Sequence, residues 1–151
     1  FTSYWMKAEA SAEALRGGWF HTGDLGRMDA EGFITLVDRK KDMIISGGEN
    51  VYPIEVEQVL FRHPAVLDAA VIGGKDSKWG ERVVAIVVAD PATQAPSAEE
   101  IVAWCRERLA HFKCPRDVHI VAELPRNATG KLLKTELRAQ FTGIEGGVVL
   151  R

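Results

Sequence analysis

Asp38-Arg39-Lys40-Lys41-Asp42-Met43-Ile44-Ile45-Ser46-Gly47-Gly48-Glu49-Asn50-Val51-Tyr52-Pro53 is the stretch on which the reading of the fold turns. Asp38 to Asp42 are all charged. Adjacent charges in such a run cannot be buried together, so the chain must reach a surface or a junction there. A domain boundary is expected at this point. Beyond it, Met43 to Ser46 and Val51-Tyr52 flank Gly47-Gly48-Glu49-Asn50, which reads as a small hairpin with a glycine-bearing loop. Pro53 suits a first helical turn, where a missing N–H leaves nothing unpaired, and Glu55 and Glu57 favour the positive end of the helix dipole. The pattern predicts a helix from about Pro53 to Arg62, stopped by Pro64.

Upstream of the charged run, residues 16–40 read as the end of a β meander. Trp19 to Thr22, Leu25 to Met28 and Phe33 to Val37 are the strands, with a turn at Asp29-Ala30-Glu31-Gly32. Downstream, Val66 to Ile72 and Arg82 to Ala89 read as strands joined by a loop over residues 73–80. Ser97 with Glu100 makes a capping box, and Ile101, Trp104, Cys105 and Leu109 form the apolar stripe of a helix reaching about His111. A strand over Val118 to Val121 and a last helix from Lys131 to about Phe141 complete the pattern, with residues 142–151 as a tail. The resulting class is α+β: a small domain with a central sheet covered by helices plus a short hairpin, preceded by the strands of the meander end.

Bulk properties bound the function. Hydrophobic residues make up 46% of the 151 residues and charged residues 26%, with a net charge of -2, the profile of a globular chain. A near-neutral balance without a basic block argues against nucleic acid as a partner, because such binding needs cations to displace phosphate counterions. The longest apolar run, Val83 to Ala89, is far short of the ~20 residues of a membrane span and reads as a buried strand. Cys105 and Cys114 lack a CxxC partner and the histidines lack ligand spacing. A cytoplasmic protein with no metal of its own and two buried or idle thiols is therefore expected. Phe1 to Trp5 contains neither an initiator Met nor a charged-then-apolar leader, so a piece of a longer chain is expected.

Three strings stand out together: Gly18-Trp19-Phe20-His21-Thr22-Gly23-Asp24, Asp38 through Glu57, and Pro125-Arg126-Asn127-Ala128-Thr129-Gly130-Lys131. In this order and separation they resemble motifs of the adenylate-forming superfamily, which contains acyl-CoA ligases, beetle luciferases and the adenylation domains of peptide synthetases. The resemblance covers roughly residues 4–141. It implies that residues 1–40 end an N-terminal adenylation domain, that Lys41 is the hinge, and that residues 42–141 form a mobile C-terminal catalytic lid.

The resemblance also implies roles for individual residues. Asp24 would bind the ribose of ATP and AMP, since a carboxylate pairs with two adjacent hydroxyls. Arg39 would grip ribose or phosphate oxygens through its fork of donors. Lys41 stands where family members carry their hinge residue, commonly Asp and sometimes Lys. Gly47, Gly48 and Glu49 would lie against the pantetheine arm of CoA, and Trp79 matches a tryptophan near that tunnel. Lys113 would supply part of a phosphate contact in a segment where several members have an additional arginine; Cys114 stands there instead. Lys131 would be the adenylation lysine, bridging two anions as the acid attacks the α-phosphate.

Each of these residues also has a plain reading. Asp24 fits a solvent-facing turn, Arg39 a solvated charge cluster, and Gly47-Gly48 a tight turn. Trp79 fits a half-buried plug, residues 111–115 a helix stop, and Lys131 the first turn of a helix, where its charge opposes the dipole.

The function implied is an ATP-dependent acid–CoA ligase that makes acyl-AMP and then the CoA thioester, with Mg²⁺ accompanying ATP and no protein ligand to the metal in this stretch. A long- or medium-chain fatty acid is favoured, with aryl and short branched acids open. The alternatives are an adenylating domain that loads a carrier protein or feeds oxygen chemistry, and a non-catalytic interaction module. Because the family's phosphate-gripping loop and acyl pocket would precede Phe1, this stretch alone is expected to lack turnover.

Overall fold

The charged run at Asp38 to Asp42 coincides with the place where the chain changes from one packing unit to another. The structure, a computed structural model, describes residues 1–142. Of the expected tail, Gly143 to Arg151 lie outside the described residues. The chain divides into two compact units, Phe1–Lys41 and a second that begins at Asp42.

In the first unit, α1 (Ala8–Ala14) is a short helix of alanine and glutamate, residue types with high helix propensity. It was not expected, because it lacks an apolar stripe. Ser11 ties its start together: its hydroxyl donates to the Lys7 carbonyl at 2.6 Å and accepts from the Tyr4 N–H. The strand expected at Trp19 to Thr22 is not formed. Gly17 and Gly18, both at positive φ, turn the chain. The His21 N–H then donates to the Ala14 carbonyl at 2.7 Å, which directs this backbone toward the helix end. β1 (Asp24–Met28) and β2 (Ile34–Arg39) pair antiparallel. Asp29 closes their turn by accepting from the N–H groups of Glu31 and Phe33. Met28, Phe33, Ile34 and Leu36 are exposed on this hairpin.

The second unit is the expected α+β domain, and its sheet is mixed. β3 (Ile44–Ser46) and β4 (Glu49–Val51) form the hairpin. The sheet order is β4-β3-β6-β5, where β5 is Val66–Asp76 and β6 is Gly80–Ala89. β7 (Asp117–Val121) pairs parallel to β6. β6 is therefore flanked on both edges and covered on both faces, which explains its near-continuous apolar sequence.

The loop expected over residues 73–80 shrinks to Ser77-Lys78-Trp79, because both strands continue through it. Gly73 and Gly74 read as turn residues in sequence, but they are sheet positions of close approach. A β-carbon on Gly74 would lie 2.8 Å from Val84 Cγ2.

Two apolar layers flank the sheet. One face of β5 and β6 places Val71, Val83, Ala85 and Val87 against α2 (Pro53–Leu60) and α3 (Ala98–Arg106). The other places Ala70, Ile72, Val84 and Ile86 against Leu124 and Leu137 of α4 (Lys134–Phe141). Leu137 is 1% exposed, and truncating such a leucine to alanine costs about 2–5 kcal/mol. The capping box starts α3, with the Ser97 N–H donating to Glu100 at 2.7 Å. The helix stops at Arg106, short of His111, where the Cys105 carbonyl accepts from both the Arg108 and Leu109 N–H groups.

Candidate functional site

Pro125-Arg126-Asn127-Ala128-Thr129-Gly130-Lys131 is not the entry to a helix but a closed loop. Asn127 Oδ1 accepts from the N–H groups of Thr129 and Lys131 at 3.0 and 2.9 Å and from the Thr129 hydroxyl at 2.8 Å. The Asn127 N–H donates to the Lys131 carbonyl, and Arg126 bridges to Leu132. With the Lys131 backbone engaged on both sides, a helix cannot start there, and α4 begins at Lys134 instead. The dipole opposition expected for Lys131 therefore does not arise. Gly130, at φ +80°, makes the turn just before Lys131 without a β-carbon penalty. The Lys131 side chain is exposed, and no acid pairs with its ammonium among the described residues. Arg126 reaches out of the loop, donating to the Gly130 carbonyl and to Asp68 on β5.

A second constellation is built on the β3–β4 hairpin. Gly47 and Gly48 have φ +62° and +86°, the primed turn that a two-residue hairpin connection favours. The Gly47 N–H donates to the Trp79 carbonyl at 2.9 Å, and the indole lies against the Gly47 α-carbon. Asp76 fixes the Trp79 turn by accepting from the Trp79 and Lys78 N–H groups, both at 2.9 Å. Chiefly the Trp79 hydrogen bond holds its carboxyl below the usual carboxylate range. Two cations face the indole: Lys78 Nζ at 4.8 Å and the Arg116 guanidinium at 5.1 Å from the ring centroid. Sequence reading missed Arg116; its only signal was a basic residue just after Pro115. Glu49 is exposed on β4. Lys113, in the short turn His111–Lys113, is ion-paired with Glu55 at 2.7 Å. The corner thus sets an indole and two cations beside two residues that lack side chains.

In the first unit the structure joins two residues that the sequence offered separately. Asp24 and Arg39 are register partners across β1 and β2, and their side chains lie 3.2 Å apart. Gly23 at φ +77° turns the strand start, and the Lys40 N–H donates to its carbonyl. An open hollow of about 870 Å³ is lined by Tyr4, Phe20, His21, Asp24, Arg39 and Lys41 among others. Lys41 is exposed.

Burial pushes the Cys105 thiol up to about 12, which keeps it in the protonated, poorly nucleophilic form near neutral pH. Among the described residues no group of three or more His, Cys, Asp or Glu stands together to hold a metal ion. No helix among them is long and apolar enough to cross a membrane.

Comparison with known proteins supplies the context for these constellations. The sequence profile of the family described as AMP-binding enzyme C-terminal domain matches residues 55–131. Long-chain-fatty-acid–CoA ligase FadD13 of Mycobacterium tuberculosis is 52% identical over 139 residues, covering 92% of this chain and 27% of the relative. The ATP-bound crystal structure of MatB from Rhodopseudomonas palustris superimposes with TM-score 0.86 at 38% identity, covering 94% of this chain and 28% of that one. The o-succinylbenzoate CoA synthetase MenE of Bacillus subtilis, in complex with the acyl-adenylate intermediate OSB-AMP, does so with TM-score 0.81 at 44% identity, covering 97% and 29%. The chain thus spans little more than a quarter of the length of the relatives it matches.

Proposed function

Because the chain belongs to the AMP-binding enzyme C-terminal domain family, we propose that it is the catalytic lid of an ATP-dependent acid–CoA ligase. In the first step a carboxylate oxygen attacks the α-phosphorus of ATP, the bond to the β-phosphate oxygen breaks, and pyrophosphate leaves. In the second, the CoA thiol adds to the acyl carbonyl, loses its proton, and AMP departs. Mg²⁺ enters with ATP as part of that substrate.

The observation that carries this reading is the exposed Lys131 ammonium on a loop whose backbone is tied down by Asn127. Adenylation brings two anions together and spreads further charge over the phosphoryl oxygens. A preorganised cation stabilises that transition state by several kcal/mol. An ammonium already paired with a carboxylate would have to break that pair first; Lys131, with no such partner among the described residues, does not.

The remaining roles follow. Asp24 takes the ribose hydroxyls, with Arg39 beside it. Residues 1–40 end the larger adenylation domain, a reading supported by the exposed Met28, Ile34 and Leu36 of the β1–β2 hairpin. The domain from Asp42 turns about Lys41 between the steps. It presents Lys131 for adenylation and the Gly47-Gly48 corner, with Glu49, Trp79 and Arg116, for CoA. Lys113 reaches a CoA phosphate only by leaving Glu55. A fatty acid is the favoured substrate class, supported by the similarity to FadD13.

The test is Lys131→Ala in the whole ligase. Adenylate formation should be lost while thioester formation from supplied acyl-adenylate continues. Equal loss of both half-reactions would overturn the proposal.

A further inference from the structure

Lys131 must be delivered to one place, yet it sits on an exposed loop and follows a glycine, the most permissive backbone residue. Within the loop, Asn127 closes a ring of hydrogen bonds that holds residues 127–131 as one body. That ring says nothing about where the body points. At its base, Leu124 is buried and Leu132 packs against the same apolar layer. The tip has a separate tie. Arg126 Nη1 donates to the Gly130 carbonyl at 2.9 Å, and Nη2 donates to Asp68 Oδ2 at 2.6 Å. The other oxygen of Asp68 accepts from the Ala69 N–H at 2.9 Å, so the carboxylate is itself fixed to β5.

We infer that Arg126, braced by Asp68, is the positioning residue for Lys131, setting the direction of the peptide that precedes it. This inference rests on the reading of Lys131 given above. The guanidinium spans the sheet and the Gly130 carbonyl with two separate nitrogens. A lysine, with one nitrogen, cannot reproduce that geometry.

Magnitudes decide where the effect appears. The Arg126 and Asp68 side chains are 44% and 26% exposed, and an ion pair so exposed adds little to folding stability. Misplacing a catalytic group by about 1 Å, in contrast, slows a reaction by roughly 100-fold. Arg126 therefore acts on the rate of adenylation and leaves the fold almost unchanged.

The experiment compares Arg126→Ala, Asp68→Ala, Arg126→Lys and Lys131→Ala in the whole ligase. Both half-reactions and the melting temperature are measured for each. Arg126→Ala and Asp68→Ala should lower kcat for adenylation by about 10- to 100-fold, with KM for ATP and acid nearly unchanged and the thioester step intact. Arg126→Lys should recover only part of the rate. Adenylation unaffected by Arg126→Ala, while Lys131→Ala abolishes it, would overturn the positioning role alone. Lys131→Ala without a selective effect on adenylation would overturn both readings. A drop in melting temperature with equal loss in both half-reactions would mark Arg126 as structural and also overturn the inference.

Discussion

A β-carbon placed on Gly47 would meet Cε3 of Trp79 at 2.7 Å, closer than any real carbon contact. Gly47→Ala therefore meets two obstacles: a left-handed φ of +62°, worth about 1–2 kcal/mol for an L-residue, and displacement of the indole. The expected outcome is a loss of about 1–3 kcal/mol in denaturant unfolding. With Trp79→Ala in the same chain the clash is gone and only the backbone part remains. Strict additivity of the two substitutions would show that ring and glycine do not press on each other.

Arg82 predicts a larger effect for a different reason. Its guanidinium donates to Asp117 and to the Lys75 carbonyl, and the Arg82 and Asp117 side chains are only 5% and 11% exposed. Arg82→Met strands a buried carboxylate, which costs about 3–5 kcal/mol. The exposed pair Arg108 and Glu107 provides the contrast, with Glu107 70% exposed; Glu107→Gln should change stability by less than about 1 kcal/mol. Urea midpoints at a common m-value measure both. Equal shifts for the two variants would refute the argument from burial.

Elements specified by local chemistry were legible in the sequence. The Ser97–Glu100 capping box, Pro53 at the start of α2 and the apolar run of β6 each stand where expected. What failed depended on particular contacts, one across the sheet and one within a loop, that the pattern of residue types does not display. Gly73 and Gly74 read as a loop because the reason for glycine there, the close approach of Glu81 and Val84, comes from the neighbouring strand. The start of α4 was misplaced because a single side chain, Asn127, captures the Lys131 N–H. The candidate residues were found by motif, but their pairings were not. Asp24 with Arg39, Lys113 with Glu55 and Arg126 with Asp68 join positions that only folding brings together.

His119 gives the fold a pH dependence. It is 2% exposed, its Nδ1 has no hydrogen-bond partner among the described residues, and its ring lies 4.7 Å from that of Phe141. Burial lowers its pKa from the ordinary 6.5, with Arg82 acting in the same direction and Asp117 against it. The folded state thus binds the proton less readily than the unfolded chain. Stability from this group is complete above pH 6.5 and falls as pH drops below it, by up to about 1.4 kcal/mol per pH unit within the window. His119→Leu removes the proton site, so its unfolding free energy should vary less between neutral pH and the onset of carboxylate titration. An unchanged slope in that variant would assign the pH dependence to other groups.

Asp24 separates a structural role from a binding role. Its pair with Arg39 is partly open to solvent, with side chains 27% and 48% exposed, and such a pair contributes only about 0–1 kcal/mol to stability. Asp24→Asn should therefore leave the melting temperature of the whole protein almost unmoved. If the carboxylate accepts from the ribose hydroxyls, losing its charge removes about 1.5–3 kcal/mol of charge-assisted hydrogen bonding, or roughly 10- to 100-fold in ATP affinity. The probe that isolates this contact is 2′-deoxy-ATP. On that reading the wild-type protein should bind it more weakly than ATP, and Asp24→Asn should narrow that gap, because the variant has less to lose when one hydroxyl is missing. A gap of the same size in both proteins would place the ribose elsewhere and leave Asp24 as the strand partner of Arg39.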